Sequence, residues 1–235
     1  MDPVDGTPAF PTSTAAAERV TAFLRAVYGW MFVGLAITAF VAYTIAGSPA
    51  LIGTLVSNHF LFLGLFLTQL GVVFFLSARV DKLAPGTATL LFILYSGLTG
   101  VTLSVILLAY TGASIATTFV VTAGMFGALA LYGTTTSRSL AGMGQFVFMG
   151  LIGLVLASVV GMFWRNAALE FLISVVGVIV FTGLTAWDAQ RLRQMATSLP
   201  EGQLGSYAIL GALSLYLNFI NLFLFLLRFM GGRRD

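Results

Sequence analysis

AVYGWMFVGLAITAFVAYTIAGSPALIGTLVSNHFLFLGLFLTQLGVVFFLSA, residues 26–78, stands between Arg25 and Arg79 without a single Lys, Arg, Asp or Glu; its titratable side chains are His59 and tyrosines. About 20 apolar residues carry an α-helix across the ~30 Å hydrocarbon core of a bilayer. This stretch therefore holds two spans, near 26–46 and 58–78, divided by the turn-forming Gly47, Ser48 and Pro49 and by Ser57 and Asn58. The same punctuation continues outward. After Arg79, Asp81, Lys82 and Pro85 the chain is free of charge as far as Arg138, which gives spans near 87–109 and 113–132, broken at Tyr110, Thr111 and Gly112. Further spans fit 143–163, 168–187 and 206–228, the last two separated by a polar loop with Arg191, Arg193, Pro200, Glu201 and Gly202. The expectation is an all-α integral membrane protein of seven helices.

Composition agrees. The 235 residues are 59% hydrophobic and 8% charged, against roughly 25% charged in soluble domains, so no soluble domain is expected beside the helices. The net charge of +3 comes from a few loop arginines, not from a basic surface, and nucleic-acid binding is excluded. No cysteine is present, which removes disulfides, thiol nucleophiles and Cys-based zinc sites. Met1 to Ala17, with Pro3, Pro8, Pro11, Asp2 and Asp5, has neither a basic start nor an apolar core. It reads as a disordered tail and not a signal peptide; the domains are then a tail over 1–20 and a helical domain over 21–235.

Arg19, Arg25, Arg79, Lys82, Arg138, Arg191 and Arg193 fall in the tail and in alternate loops, whereas the opposite loops carry Arg165. By the positive-inside rule the N-terminus is cytoplasmic. Seven crossings put Arg233 and Arg234 outside, against that rule, so a last segment that re-enters or lies centrally in the bundle stays open. Small residues at helical spacing, Gly153, Ala157 and Gly161 in one span and Gly177 and Gly183 in the next, are read as helix-packing faces.

Ionisable or strongly polar groups at depth are the functional candidates. Asp188 follows the apolar run Val175 to Trp187 and is either an interfacial carboxylate paired with Arg191 three residues on, or a functional group. Arg228 ends the seventh span, where it either snorkels or faces a pore. Asn218 and Asn221 lie inside the apolar run Leu215 to Leu227 and need partners from another helix or from a water-filled cavity. They act as structural glue or as part of a site. Enzyme constellations are missing: His59 is the one histidine, Lys82 the one lysine, and no second acid stands in a separate span.

Two stretches carry a resemblance. GVIVFTGLTAWDAQR (177–191) and ALSLYLNFINLFLFLLRF (212–229), supported by YSGLTGVTL (95–103) and YGTTTSRSLAGM (132–143), resemble the Bax inhibitor-1 family, the transmembrane Bax inhibitor motif proteins, in its bacterial branch. The resemblance implies a seven-helix bundle with the last helix central, set in the bacterial inner membrane, and a pH-sensitive leak of calcium ions without a cofactor. It also implies a gate of two aspartates that share a proton, with an arginine of the second helix and one ending the seventh as counter-charges. Residue by residue, the first aspartate carries over to Asp188, the arginines to Arg79 and Arg228. Asn218 stands where the second aspartate would be, and an acidic position midway along the second span is neutral here, around Gln69; Gln69 and Asn221 become candidate pore-lining groups.

This departure has physical consequences. Two close carboxylates form a proton switch, and an amide in place of one removes their repulsion. An Asp188 to Asn218 hydrogen bond is expected, with switching by protonation weakened or moved to lower pH. Calcium favours several hard, charged oxygens, so a site that keeps Asp188 as its one carboxylate ligand should hold it less well. The rival implied by the bacterial relatives is an interaction protein that restrains a membrane-bound quality-control protease, with the N-terminal tail as its handle.

Overall fold

In lipid each backbone N–H and C=O must find its partner within its own segment, so charge-free runs become helices. The computed structural model describes residues 13–164 and 166–232, and every regular element among them is helical. The helices are α1 (Ser13–Ala46), α2 (Pro49–Ser57), α3 (His59–Arg79), α4 (Pro85–Leu108), α5 (Gly112–Thr135), α6 (Ala141–Phe163), α7 (Ala167–Ser198) and α8 (Leu204–Met230), with 3-10 turns at Val80–Lys82 and Glu201–Gln203. All but α2 are long and apolar enough to cross a membrane.

Three boundaries differ from expectation. α1 begins at Ser13, inside the stretch read as tail, because Ala15–Ala17 and Glu18 are strong helix formers; residues 1–12, Arg165, Arg233 and Arg234 lie outside the described residues. The link between the first two spans is itself a helix, α2, opened by Pro49 and closed at Asn58, whose side chain accepts from Leu61 N at 3.0 Å and caps α3. α7 runs to Ser198, well beyond the expected end at 187. Hydropathy marks where a helix leaves lipid; the helix itself continues through Arg191 and Arg193.

α8 is the most buried of the seven spans and packs against α1, α4, α5 and α7. α3 leans on α4, and α6 on α7, so these two form the outer layer. At what we call the N-terminal face, Arg19 donates to Leu199 O, Tyr207 Oη to Asp81, and Ser206 Oγ to Leu83 O at 2.7 Å. At the opposite face, Thr111 N donates to Gly232 O at 3.1 Å and Gly232 N to Ser114 Oγ at 2.8 Å, which fixes the end of α8 to the α4–α5 turn. α8 thus passes through the whole bundle and does not re-enter.

The small-residue faces divide. At Gly177 and Gly183 a neighbouring side chain, Phe225 and Val147 respectively, fills the space a Cβ would take, whereas Gly153 has open space. The closest helix approaches occur elsewhere, at Gly100 against Thr38 O of α1 and at Gly133 against Ala186 O of α7.

Candidate functional site

Asp188 lies on the face of α7 that meets α8. Four residues apart on α8, and hence on one face of it, Ser214 and Asn218 converge on a single carboxylate oxygen: Ser214 Oγ donates to Asp188 Oδ2 at 2.7 Å and Asn218 Nδ2 at 2.8 Å. Asp188 is only 7% exposed. It is thus a buried carboxylate with one oxygen engaged by α8, and Arg191, three residues on, lines the same cavity.

A cavity of about 290 Å³ leads to this group, lined by Val73 and Ser77 of α3, Asp188 and Arg191 of α7, and Leu210, Ser214 and Leu217 of α8. It exists because α3 packs on α4 and not along α7. A larger hollow of about 680 Å³ lies on the other side of α7, between the start of α1 and the α5–α6 loop; it has Arg138 and Arg193 on its wall and no carboxylate among the described residues that line it.

The expected counter-charges stand apart. Arg79 is exposed at the end of α3 and is not among the residues lining the cavity. Arg228 lies ten residues beyond Asn218, about 15 Å along the axis at a rise of about 1.5 Å per residue; its guanidinium sits 6.0 Å from the Phe225 ring. Because α8 crosses the whole bundle, its terminal arginine is far from its midpoint. The cation at the cavity is Arg191, which also lies over Trp187 at 5.8 Å.

Gln69 donates to Thr102 Oγ1 at 2.6 Å and to Leu98 O at 3.4 Å, tying α3 to α4. Asn221 Nδ2 donates to Leu217 O of its own helix at 2.8 Å, a partner within α8 where the sequence pointed to another helix or to a water-filled cavity. His59 is the exposed first residue of α3.

Two residues were not singled out from the sequence. Ser214 is legible in retrospect as the hydroxyl one turn before Asn218. Tyr216 is fully buried, its hydroxyl 2.6 Å from Thr38 Oγ1, which in turn donates to Ser96 O at 2.9 Å. Phe92 and Tyr95 meet its ring edge to face. This cluster pins α8 to α1 and α4, behind Asp188.

Among the described residues no three His, Cys, Asp or Glu side chains cluster. A cation at Asp188 would have one carboxylate, the Ser214 hydroxyl and, if the amide turned over, Asn218 Oδ1. The chemistry on offer is reversible coordination at a mostly buried carboxylate beside a cavity, in exchange for two hydrogen bonds.

The sequence profile described as inhibitor of apoptosis-promoting Bax1 matches residues 20–235. Similar proteins include the inner membrane protein YbhL of Escherichia coli strain K12, 51% identical over 231 residues that cover 96% of this chain and 99% of the relative. An uncharacterized protein of Borreliella burgdorferi is 46% identical over 215 residues, 91% of this chain and 93% of its own. An uncharacterized membrane protein of Streptococcus pyogenes serotype M1 is 36% identical over 216 residues, with the same coverage of both chains.

Proposed function

The chain belongs to the Bax inhibitor-1 family, and from that premise we propose that it is a multi-pass protein of the bacterial inner membrane that lets cations, calcium among them, leak across it under the control of Asp188. The observation that carries this reading is the buried Asp188 carboxylate at the inner end of a cavity, held by Ser214 and Asn218. A buried carboxylate is costly unless its charge is used or matched, and here one of its hydrogen-bond donors is a neutral amide.

The arginine-rich ends Arg19, Arg25, Arg79, Arg138, Arg191 and Arg193, with Lys82, argue that the N-terminal face is cytoplasmic. The cavity then opens inward. In the closed state Asn218 and Ser214 occupy Asp188; a cation that reaches the carboxylate competes with them. With a single acid at the gate there is no proton to share between two carboxylates, so the pH response is shallow. The site binds and releases; it makes no bonds.

Calcium flux into proteoliposomes from acidic to neutral pH tests this reading with three chains. The native chain should conduct with weak pH dependence, Asn218→Asp should make that dependence steep by restoring a shared proton, and Asp188→Ala should abolish control. No conductance above empty liposomes from any of the three would sink the leak and leave partner binding, such as restraint of a membrane protease, as the activity to assay.

A further inference from the structure

The cavity-facing stripe of α8 does not end at Asp188. Leu210, Ser214 and Leu217 line the cavity, and continued helical spacing places Asn221, then Phe225, then Arg228 on the same face. The polar character therefore persists one turn beyond Asn218 and stops at an aromatic ring. Phe225 lies against α7: its ring and that of Phe181 are stacked, with centroids 5.7 Å apart and planes at 26°. It can lie so close because α7 has Gly177 there; a Cβ at that position would be 2.6 Å from the Phe225 ring. On the far side stands Arg228, 6.0 Å from the same ring.

We propose that Phe225, stacked on Phe181 and seated on Gly177, is the barrier that ends the water-accessible path from Asp188, so that passage to the opposite face requires this ring to leave its seat. Phe225 is seven residues beyond Asn218, about 10 Å along the axis. Between them Asn221 is the last polar group that α8 presents on the stripe, and its amide is tied to its own helix. A hydrated cation that has passed Asp188 meets a dry aromatic contact, the kind of constriction that gates by excluding water, with a fixed positive charge behind it. The proposal rests on the leak reading for its role in ion passage, but the barrier itself is a statement about water access.

That distinction makes a test available, because the chain has no cysteine and any introduced thiol reports alone. Asn221→Cys is made in the full-length protein in vesicles and challenged with a charged, membrane-impermeant thiol reagent from each side in turn. Gly112→Cys, exposed at the α4–α5 turn with room for a side chain, marks the C-terminal face. With Phe225 present, the thiol introduced at 221 should be protected from that face. Phe225→Ala should raise its labelling rate from there at least tenfold, Phe225→Leu by less, and Phe229→Ala, a change at a half-exposed ring, not at all. Calcium flux is read on the same proteins. Labelling gated by Phe225 without flux from any variant upholds the barrier and removes the leak. Flux without any change in labelling between Phe225 and Ala, in protein with an unchanged thermal midpoint, or ready labelling from the C-terminal face while Phe225 is in place, overturns the barrier and leaves the leak standing.

Discussion

Ser214 and Asn218 spend both of their hydrogen bonds on one oxygen of Asp188, and a buried charge loses more by losing a donor than a neutral group would. Hydrogen bonds to charged groups contribute about 1.5–3 kcal/mol each. Asn218→Leu should therefore lower the thermal midpoint in detergent, and adding Asp188→Leu should restore most of the loss, since an apolar pair has nothing to satisfy. Equal, additive losses in that double-mutant cycle would show that the two side chains are not coupled. Tyr216→Phe keeps the ring between Phe92 and Tyr95 and removes one hydroxyl, at a cost of about 1 kcal/mol; Tyr216→Ala empties the centre of the bundle and should cost about 3–5 kcal/mol. Asn218 was legible because an amide in an apolar run must find a partner. Tyr216 was not, because tyrosines in membrane helices commonly mark the water interface, and nothing local says that this one faces inward. The separation of Arg228 from the gate was legible in its ten-residue spacing from Asn218, whereas the place of Arg79 was hidden, since it depends on how α3 packs and where it ends.

Helix contacts show a similar division. Gly100 lets α4 approach the α1 backbone, and a Cβ there would meet Thr38 O at 2.7 Å and Val41 Cβ at 2.8 Å. Gly100→Val should destabilise by about 1–3 kcal/mol through overpacking, whereas Gly153→Val, with open space around it, should leave the thermal midpoint unchanged. The sequence singled out the second glycine and passed over the first: spacing identifies a small face, but not which face has a partner. The extension of α7 past Asp188 has a purpose visible only in three dimensions. Gln190 accepts from Leu140 N and donates to Arg138 O, both at 2.8 Å, and Arg193 donates to Thr134 O at 2.9 Å, so this last stretch of α7 clasps the α5–α6 loop. Gln190→Ala should make that loop the first site of limited proteolysis; unchanged cleavage would mean that the clasp is dispensable.

As a whole, the molecule is a central α8 enclosed by α1, α4, α5 and α7, with α3 and α6 outermost. The number of spans was legible from charge punctuation alone; the identity of the central helix came only with the family resemblance, because α8 is no more apolar than its neighbours. Seven passes put the start of α1 and the end of α8 on opposite faces, and reporters fused at the two ends should give opposite topology signals; matching signals would remove one crossing. The burial of α8 also bears on how the protein is made. Six spans leave the ribosome before α8, four of them the helices that enclose it, so their inward faces, with Thr38 and Asp188 among them, enter the bilayer before Tyr216, Ser214 and Asn218 exist to receive them. Asp188 closes the apolar run of α7, and a carboxylate without its partners is costly at the edge of a membrane helix, which favours release of α7 and α8 from the translocon as a hairpin. Biogenesis thus has its commitment step at the end: a nascent chain arrested before residue 204 should remain in contact with the insertion machinery, and completion of α8 should free it.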